Sequence, residues 1–139
     1  MNDWPLILNA ASTWYCVGLI WFVQLVAYPQ FARVSAGDWP AYHAAHMRFT
    51  TAVVAPVMFV ELISAVWLVY TSPSPLIWVG LGLLALVWIN TFAMEVPLHN
   101  RLKKSHDSRL IRSLVLGNWI RTIAWTARGV LLAIILAGR

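Results

Sequence analysis

The chain has little charge and almost no cysteine for its length. Only 11% of its 139 residues are charged, five of them acidic, whereas 60% are hydrophobic. That balance excludes an ordinary soluble domain, in which about 25% of residues are charged. The single cysteine, Cys16, excludes an internal disulfide and is expected to be a small buried hydrophobic residue. The net charge of +5 comes without a basic patch interleaved with exposed aromatics, which argues against a nucleic-acid partner.

Four long apolar runs account for the hydrophobic composition. Each has at least about 20 residues, the length that crosses some 30 Å of hydrocarbon as a helix. Lipid offers the backbone no other hydrogen-bond partner, so each run is expected to be an α-helix. The first run lacks a preceding basic segment and is expected to be a retained span, not a secretory signal. The sequence predicts an all-α integral membrane protein with a single transmembrane domain, residues 1–139, folded as a four-helix antiparallel bundle. The expected spans are 6–29, 50–70, 76–98 and 113–137.

Basic residues outside the spans concentrate in two of the three connections. The connection 71–75 has none, whereas the other two hold seven of the ten lysines and arginines. The positive-inside rule therefore predicts cytoplasmic basic loops and external termini, in a bacterial plasma membrane. The lipid bilayer is the first expected partner. The seven residues are Arg33, Arg48, Arg101, Lys103, Lys104, Arg109 and Arg112.

The sequence also predicts where helix two begins and where two helices are kinked. Asp38 as an N-cap and Pro40 in the first turn predict that helix two starts near residue 39. Pro56 and Pro97 are expected to kink helices two and three. Three tryptophans fall where interfacial belts are expected: Trp4, Trp39 and Trp78.

Helix four carries two arginines inside its apolar run. Arg121 and Arg128 are seven residues apart and share a face with Asn118 and Trp125. An arginine near mid-bilayer costs at least about 2.5 kcal/mol, so it usually faces a partner or a wet cavity.

The other helices have polar stripes at matching depths. We expect Glu95 to lie near Arg121 and Asn118, and Glu61 to lie near Arg121 or Arg128. Such pairs could simply fix helix packing, because membrane bundles use polar residues in that way. The polar residues exceed what two ion pairs need, which favours a site. The stripes are Gln24 and Tyr28 on helix one, His43, His46 and Glu61 on helix two, and Trp88, Asn90, Thr91, Glu95 and His99 on helix three, with His99 at the surface.

Three chemistries compete for these side chains. His43, His46, Glu95 and His99 could converge as ligands of a transition metal. Haem is disfavoured, because no histidine lies deep in a span. In the third, Arg121 stabilises an enolate or phenolate of an apolar substrate while a nearby histidine or glutamate acts as base. His106 is expected to be a solvated loop residue.

Two segments carry a resemblance to a known family. Val96-Pro97-Leu98-His99-Asn100-Arg101-Leu102 closes helix three, and Asn118-Trp119-Ile120-Arg121-Thr122 lies in helix four. With four spans and this length, they resemble the small membrane family that includes the anthrone oxygenases. The resemblance implies oxygenation of activated polyphenolic rings without an established organic cofactor. It matches Asn100 to the family's Pro-x-Asn element, into which this chain places His99, and Asn118 and Arg121 to its Asn-x-x-Arg element.

The sequence leaves three functions open. The first is binding or oxidation of a hydrophobic, aromatic or quinone-like molecule in the cytoplasmic half of the bundle. The second is a non-enzymatic accessory or scaffolding subunit, as a homo-oligomer or within a membrane complex. The third is a metal-dependent oxidoreductase. For the first, the expected catalytic residues are Arg121, Glu95, His46 and Asn118, and the expected ligand-binding residues are Gln24, Tyr28, Glu61, Asn90, His99, Asn100 and Trp125.

Overall fold

A computed structural model describes residues 3–139, and these form four long helices. Each helix is long and apolar enough to cross a membrane, as the sequence predicts. The helices are α1 (Trp4–Phe31), α2 (Trp39–Thr71), α3 (Pro75–Leu102) and α4 (Ser108–Ala137).

The helices pack as an antiparallel bundle in the order α1, α2, α3, α4 around a common core. α1 lies between α2 and α4, and α3 packs along α4. α2 and α3 pack mainly beside the short connection that joins them. We call the end of the bundle that holds connections 32–38 and 103–107 the basic end. The opposite end carries the α2–α3 connection and the chain ends, where Asp3 and Arg139 form an ion pair.

Side-chain caps decide where two helices begin. The Ser74 hydroxyl accepts a hydrogen bond from the Ile77 N–H at 3.3 Å at the start of α3. Asp107 accepts from the Arg109 N–H at 2.8 Å, so α4 begins five residues before the predicted apolar run. α2 begins at Trp39 as predicted. Asp38 does stand at its N-cap position, but its carboxylate accepts from the Ser35 hydroxyl at 2.6 Å and makes no cap bond.

Two π-helical turns interrupt α1 and α3 at corresponding places. The turns are Val23–Ala27 and Thr91–Glu95, and each is followed two residues later by a proline, Pro29 or Pro97. A proline has no N–H to continue the α-helical pattern, and a π turn accommodates the extra residue that this break leaves. The break predicted at Pro97 thus takes the form of a π turn, and its counterpart before Pro29 was not predicted. α2, by contrast, continues through Pro56.

Most polar side chains within the spans are buried, whereas the apolar ones are divided between the interior and the outer face. Ile63, Phe92 and Ile123 are more than 60% exposed on the outer face, as expected of helices that meet lipid. Trp39 was predicted in an interfacial belt but is buried, because its indole N–H donates to the Leu102 carbonyl at 2.7 Å and ties α2 to the end of α3. The interior therefore holds the groups from which a site could be built.

Candidate functional site

Arg121 is the centre of a buried polar cluster that draws on three helices. Its guanidinium contacts the Glu95 carboxylate of α3 and donates to the Tyr28 hydroxyl of α1, both at 3.2 Å. It also donates to the Asn118 side-chain oxygen, one turn earlier on α4, and to Thr91 at 3.4 Å. The sequence-based prediction that Glu95 lies near Arg121 and Asn118 is confirmed.

A second layer holds Asn118 in place. The Gln24 side-chain oxygen accepts from the Asn118 amide at 2.8 Å, and the Gln24 amide donates to the Val115 carbonyl at 3.0 Å. Gln24 stands in the π turn of α1. It therefore fixes which way the Asn118 oxygen faces, and that oxygen in turn orients Arg121.

A chain of hydrogen bonds leads from this cluster toward the basic end. The Tyr28 hydroxyl lies 3.3 Å from Glu95 Oε2 and 3.1 Å from His99 Nε2, and His99 Nδ1 lies 3.1 Å from His43 Nε2. With the Nε2–H tautomer on both histidines, Tyr28 accepts from His99 and donates to Glu95, and every contact is satisfied. His46 stacks on His99 with ring centroids 6.0 Å apart.

A cavity of about 240 Å³ lies beside the Arg121 cluster. Most of its wall is apolar and comes from all four helices, with Ile20, Val54 and Met58 among the lining residues. The polar part of the wall is small, which is the usual composition of a site for a hydrophobic ligand. It consists mainly of Tyr28, His46, Trp88, Thr91, Glu95, His99 and Arg121.

Three buried polar atoms of the lining residues have no hydrogen-bond partner. They are His46 Nε2, Trp88 Nε1 and Glu95 Oε1. A buried polar atom without a partner costs about 1–3 kcal/mol, so three around one cavity are unusual. Each of these atoms has almost no accessible surface, so the unmet hydrogen bonds belong to lining residues without being open to the cavity.

Arg128 belongs to a separate cluster that is closed. Its guanidinium contacts Glu61 at 3.1 Å, Asn9 at 2.7 Å and the Gly80 carbonyl at 3.2 Å. Glu61 also accepts from Thr13 at 2.6 Å and from the Trp125 indole at 3.0 Å. Of the two partners predicted for Glu61, the structure selects Arg128. All four helices contribute to this cluster, and every charged atom in it is paired.

The predicted ligand-binding residues divide into those that line the cavity and those that do not. Tyr28, His99 and Trp125 line it, whereas Gln24 lies behind Asn118. Glu61 was expected near the site, but it forms an ion pair with Arg128 in the separate cluster. Asn90 contacts the Met94 sulfur at 3.6 Å and is not in the cavity wall.

Three of the four predicted catalytic residues line the cavity, whereas Asn118 and Asn100, the residue matched by the family resemblance, do not. Arg121, Glu95 and His46 line the cavity, and Asn118 supports Arg121 from behind. Asn100 is exposed, because one residue of helix rotates it about 100° away from buried His99.

The predicted metal ligands do not form a coordination set. Within residues 3–139, no group of three or more His, Cys, Asp or Glu side chains is placed to hold a metal ion. His43 Nε2 and His99 Nδ1 are hydrogen-bonded to each other, and Glu95 is paired with Arg121. The described residues therefore do not bring His43, His46, Glu95 and His99 together as the predicted coordination set.

The structure adds to what was expected of two histidines. His99, placed by depth at the membrane surface, is only 6% exposed, because the first turns of α2 cover it. His106 was expected to be solvated. It is half-buried, its Nε2 lies 2.7 Å from the Phe31 carbonyl, and its ring packs on Trp39.

Other residues of the site were not assigned from the sequence. Trp88 and Thr91 lie on the predicted stripe of Glu95 but were not recognised as lining residues. Gly117 leaves space for α3, since a Cβ there would stand 2.5 Å from the Met94 methyl and 3.1 Å from Glu95 Oε1. The position of Trp88 on the same helix face as Glu95 could have identified it as a lining residue. No sequence pattern indicates that Gly117 leaves space for α3.

Comparisons with protein-family models, with curated proteins and with solved structures found no match. The functional argument therefore depends on the site itself.

Proposed function

We propose that the cavity binds a hydrophobic hydroxyaromatic or quinone-like molecule inside the membrane. The observation that carries this proposal is a ligand-sized cavity whose wall is mostly apolar but includes the buried Arg121 guanidinium. Engineered apolar cavities of about 150 Å³ take up one benzene ring, so a volume of about 240 Å³ suits roughly two fused rings.

The polar wall fits an oxygen on such a ring. A ring oxygen can accept from the Arg121 guanidinium, because Nη1 makes only one hydrogen bond, the 3.4 Å contact with Thr91. If the hydroxyl loses its proton, Arg121 stabilises the phenolate or enolate in a site with little water. This preference for an oxygen-bearing ring separates the site from a nonspecific apolar void.

The likeness to the anthrone oxygenases extends the proposal from binding to oxidation. The Asn118 and Arg121 pair that carries the likeness lies at the cavity, with Asn118 orienting Arg121. His46 and Glu95 are the lining residues whose side chains can accept a proton from the ring. A deprotonated hydroquinone would then give two electrons to O₂, so that the ring becomes the quinone and O₂, with two protons, leaves as hydrogen peroxide. The accessory-subunit alternative predicts that no ligand-sized cavity lies between the polar stripes. The cavity therefore argues against that alternative.

Equilibrium binding of 1-naphthol and naphthalene to the purified protein tests the proposal. We expect 1-naphthol to bind more tightly than naphthalene. Arg121→Gln should reduce that preference about tenfold or more, because a hydrogen bond to a charged group contributes about 1.5–3 kcal/mol.

Arg112→Gln is the matched control, because Arg112 is an exposed arginine of the same helix. It should leave both affinities unchanged. If the wild-type protein binds neither compound, or binds both equally, the proposal is wrong.

We propose further that the basic end faces the cytoplasm. The support is the distribution of charge, since the connection at the opposite end has no lysine or arginine. Topology reporters inserted in loop 103–107 and fused after Arg139 should report the cytoplasm and the outside, respectively. A cytoplasmic reporter at the C-terminus would contradict this orientation.

A further inference from the structure

The cavity has a side opening between α2 and α3. Toward the α2–α3 connection the two helices are joined by the rings of Phe59 and Trp88, with centroids 5.4 Å apart. Toward the basic end they are joined by His99, which contacts His43 and His46. Within residues 3–139, no hydrogen bond or ring contact joins the helices between these two points. We call the gap between them the window.

The edges of the window are apolar and face the lipid side of the bundle. Phe92 is 61% exposed and Phe59 is 53% exposed, yet both also line the cavity. Thr51 on α2 and Val96 on α3 are likewise exposed lining residues. The cavity is therefore continuous with the outer apolar face of the helices.

Two of the polar lining residues, Arg121 and Tyr28, stand on the wall that faces the window, whereas the other polar lining residues belong to α2 and α3 and stand beside it. Arg121 belongs to α4 and Tyr28 to α1, and these two helices form the side of the bundle opposite the gap between α2 and α3. A ring whose oxygen contacts Arg121 therefore has its opposite edge directed toward the window.

We propose that the ligand carries an apolar tail on the ring edge opposite its oxygen, and that this tail passes through the window into the lipid. The inference rests on the proposed function, since it assumes that a ring occupies the cavity. Two fused rings fill the enclosed volume, so a longer molecule must project from it. A tail that leaves through an apolar gap remains in an apolar medium and carries no desolvation cost. The substrate class is thus a tailed hydroxyaromatic or tailed quinol drawn from the bilayer.

A pair of isomers tests the direction of the tail. 4-Hexyl-1-naphthol has its chain opposite the hydroxyl, whereas 2-hexyl-1-naphthol has it beside the hydroxyl, and both have the same apolar surface. In lipid nanodiscs we expect the 4-hexyl isomer to bind at least as tightly as 1-naphthol. The 2-hexyl isomer should bind about tenfold more weakly or worse, because its chain points into the closed wall.

A bulky residue at the window provides the second test. Thr51→Trp should weaken binding of 4-hexyl-1-naphthol about tenfold more than it weakens binding of 1-naphthol. Ile63→Trp is the control, because Ile63 is exposed on the same helix beyond Phe59 and does not line the cavity. It should leave the ratio of the two affinities unchanged.

The possible failures are distinguishable. If 1-naphthol binds as proposed but the two hexyl isomers bind equally, the ligand-binding function stands and the tail inference is overturned. The inference is also overturned if Thr51→Trp weakens the tailed and tailless compounds by the same factor. If 1-naphthol does not bind at all, both proposals fail.

Discussion

Replacing Glu61 with alanine should lower the free energy of unfolding by about 3–5 kcal/mol, the usual cost of removing one partner from a buried ion pair. Arg128 is 2% exposed, so its charge would remain in the interior with only the neutral oxygens of Asn9 and Gly80. Thr13 and Trp125 would also lose the acceptor for their hydrogen bonds. Denaturation in mixed micelles, followed by circular dichroism, measures the change.

A second replacement separates charge from packing. The double variant Glu61→Leu with Arg128→Met should recover much of the lost stability, because it leaves neither charge unpaired. Asp3→Ala is the control, since it breaks the Arg139 ion pair at the exposed end of the bundle and should cost less than about 1 kcal/mol. Wild-type stability in Glu61→Ala would show that Arg128 finds another partner or reaches water.

The two arginines of α4 therefore have different roles although they share a face. Arg128 has every nitrogen paired, and the cavity beside its cluster is only about 10 Å³, too small for more than a water molecule. Arg121 lines the larger cavity, and its partner Glu95 keeps one oxygen without a hydrogen bond. The Arg128 cluster, whose hydrogen bonds are complete, is expected to contribute stability, whereas the Arg121 cluster is the one that we propose binds a ligand.

Helical periodicity was sufficient to predict one ion pair and to limit the other to two possible partners. Residues on an uninterrupted α-helix advance 1.5 Å and about 100° each, so depth and direction follow from sequence position. On that basis Glu95 was placed with Arg121, and Glu61 was left with two possible partners. The choice of Arg128 depends on Asn9 and Thr13 of α1, which complete that cluster. No single helix contains that information.

Local breaks and interhelical packing explain what the sequence did not predict. A π turn adds about one residue to a helical turn and changes the direction of everything beyond it, and α1 and α3 each have one next to the site. His99 follows such a turn and is buried by α2, and neither its depth nor its direction along α3 predicted that α2 covers it. The cavity and its window depend on how far α2 and α3 separate, which periodicity within a helix does not describe.

Tyr28→Phe should lower the free energy of unfolding by about 2 kcal/mol, because it leaves buried hydrogen-bonding groups without a partner. The Tyr28 hydroxyl contacts Arg121, Glu95 and His99 at 3.1–3.3 Å. Arg121 and Glu95 keep each other, but His99 Nε2 would face the phenylalanine ring with no replacement partner.

Tyr15→Phe is the matched control for Tyr28→Phe. The Tyr15 hydroxyl lies at the exposed face of the same helix and makes a single 3.4 Å contact with the Val53 carbonyl. Its loss should change the free energy of unfolding by no more than about 0.5 kcal/mol. Equal effects of the two replacements would mean that the hydrogen bonds between Tyr28, Arg121, Glu95 and His99 contribute no more to stability than a surface hydroxyl does. The larger loss expected for Tyr28→Phe would establish that Tyr28 ties α1, α3 and α4 together at the cavity wall.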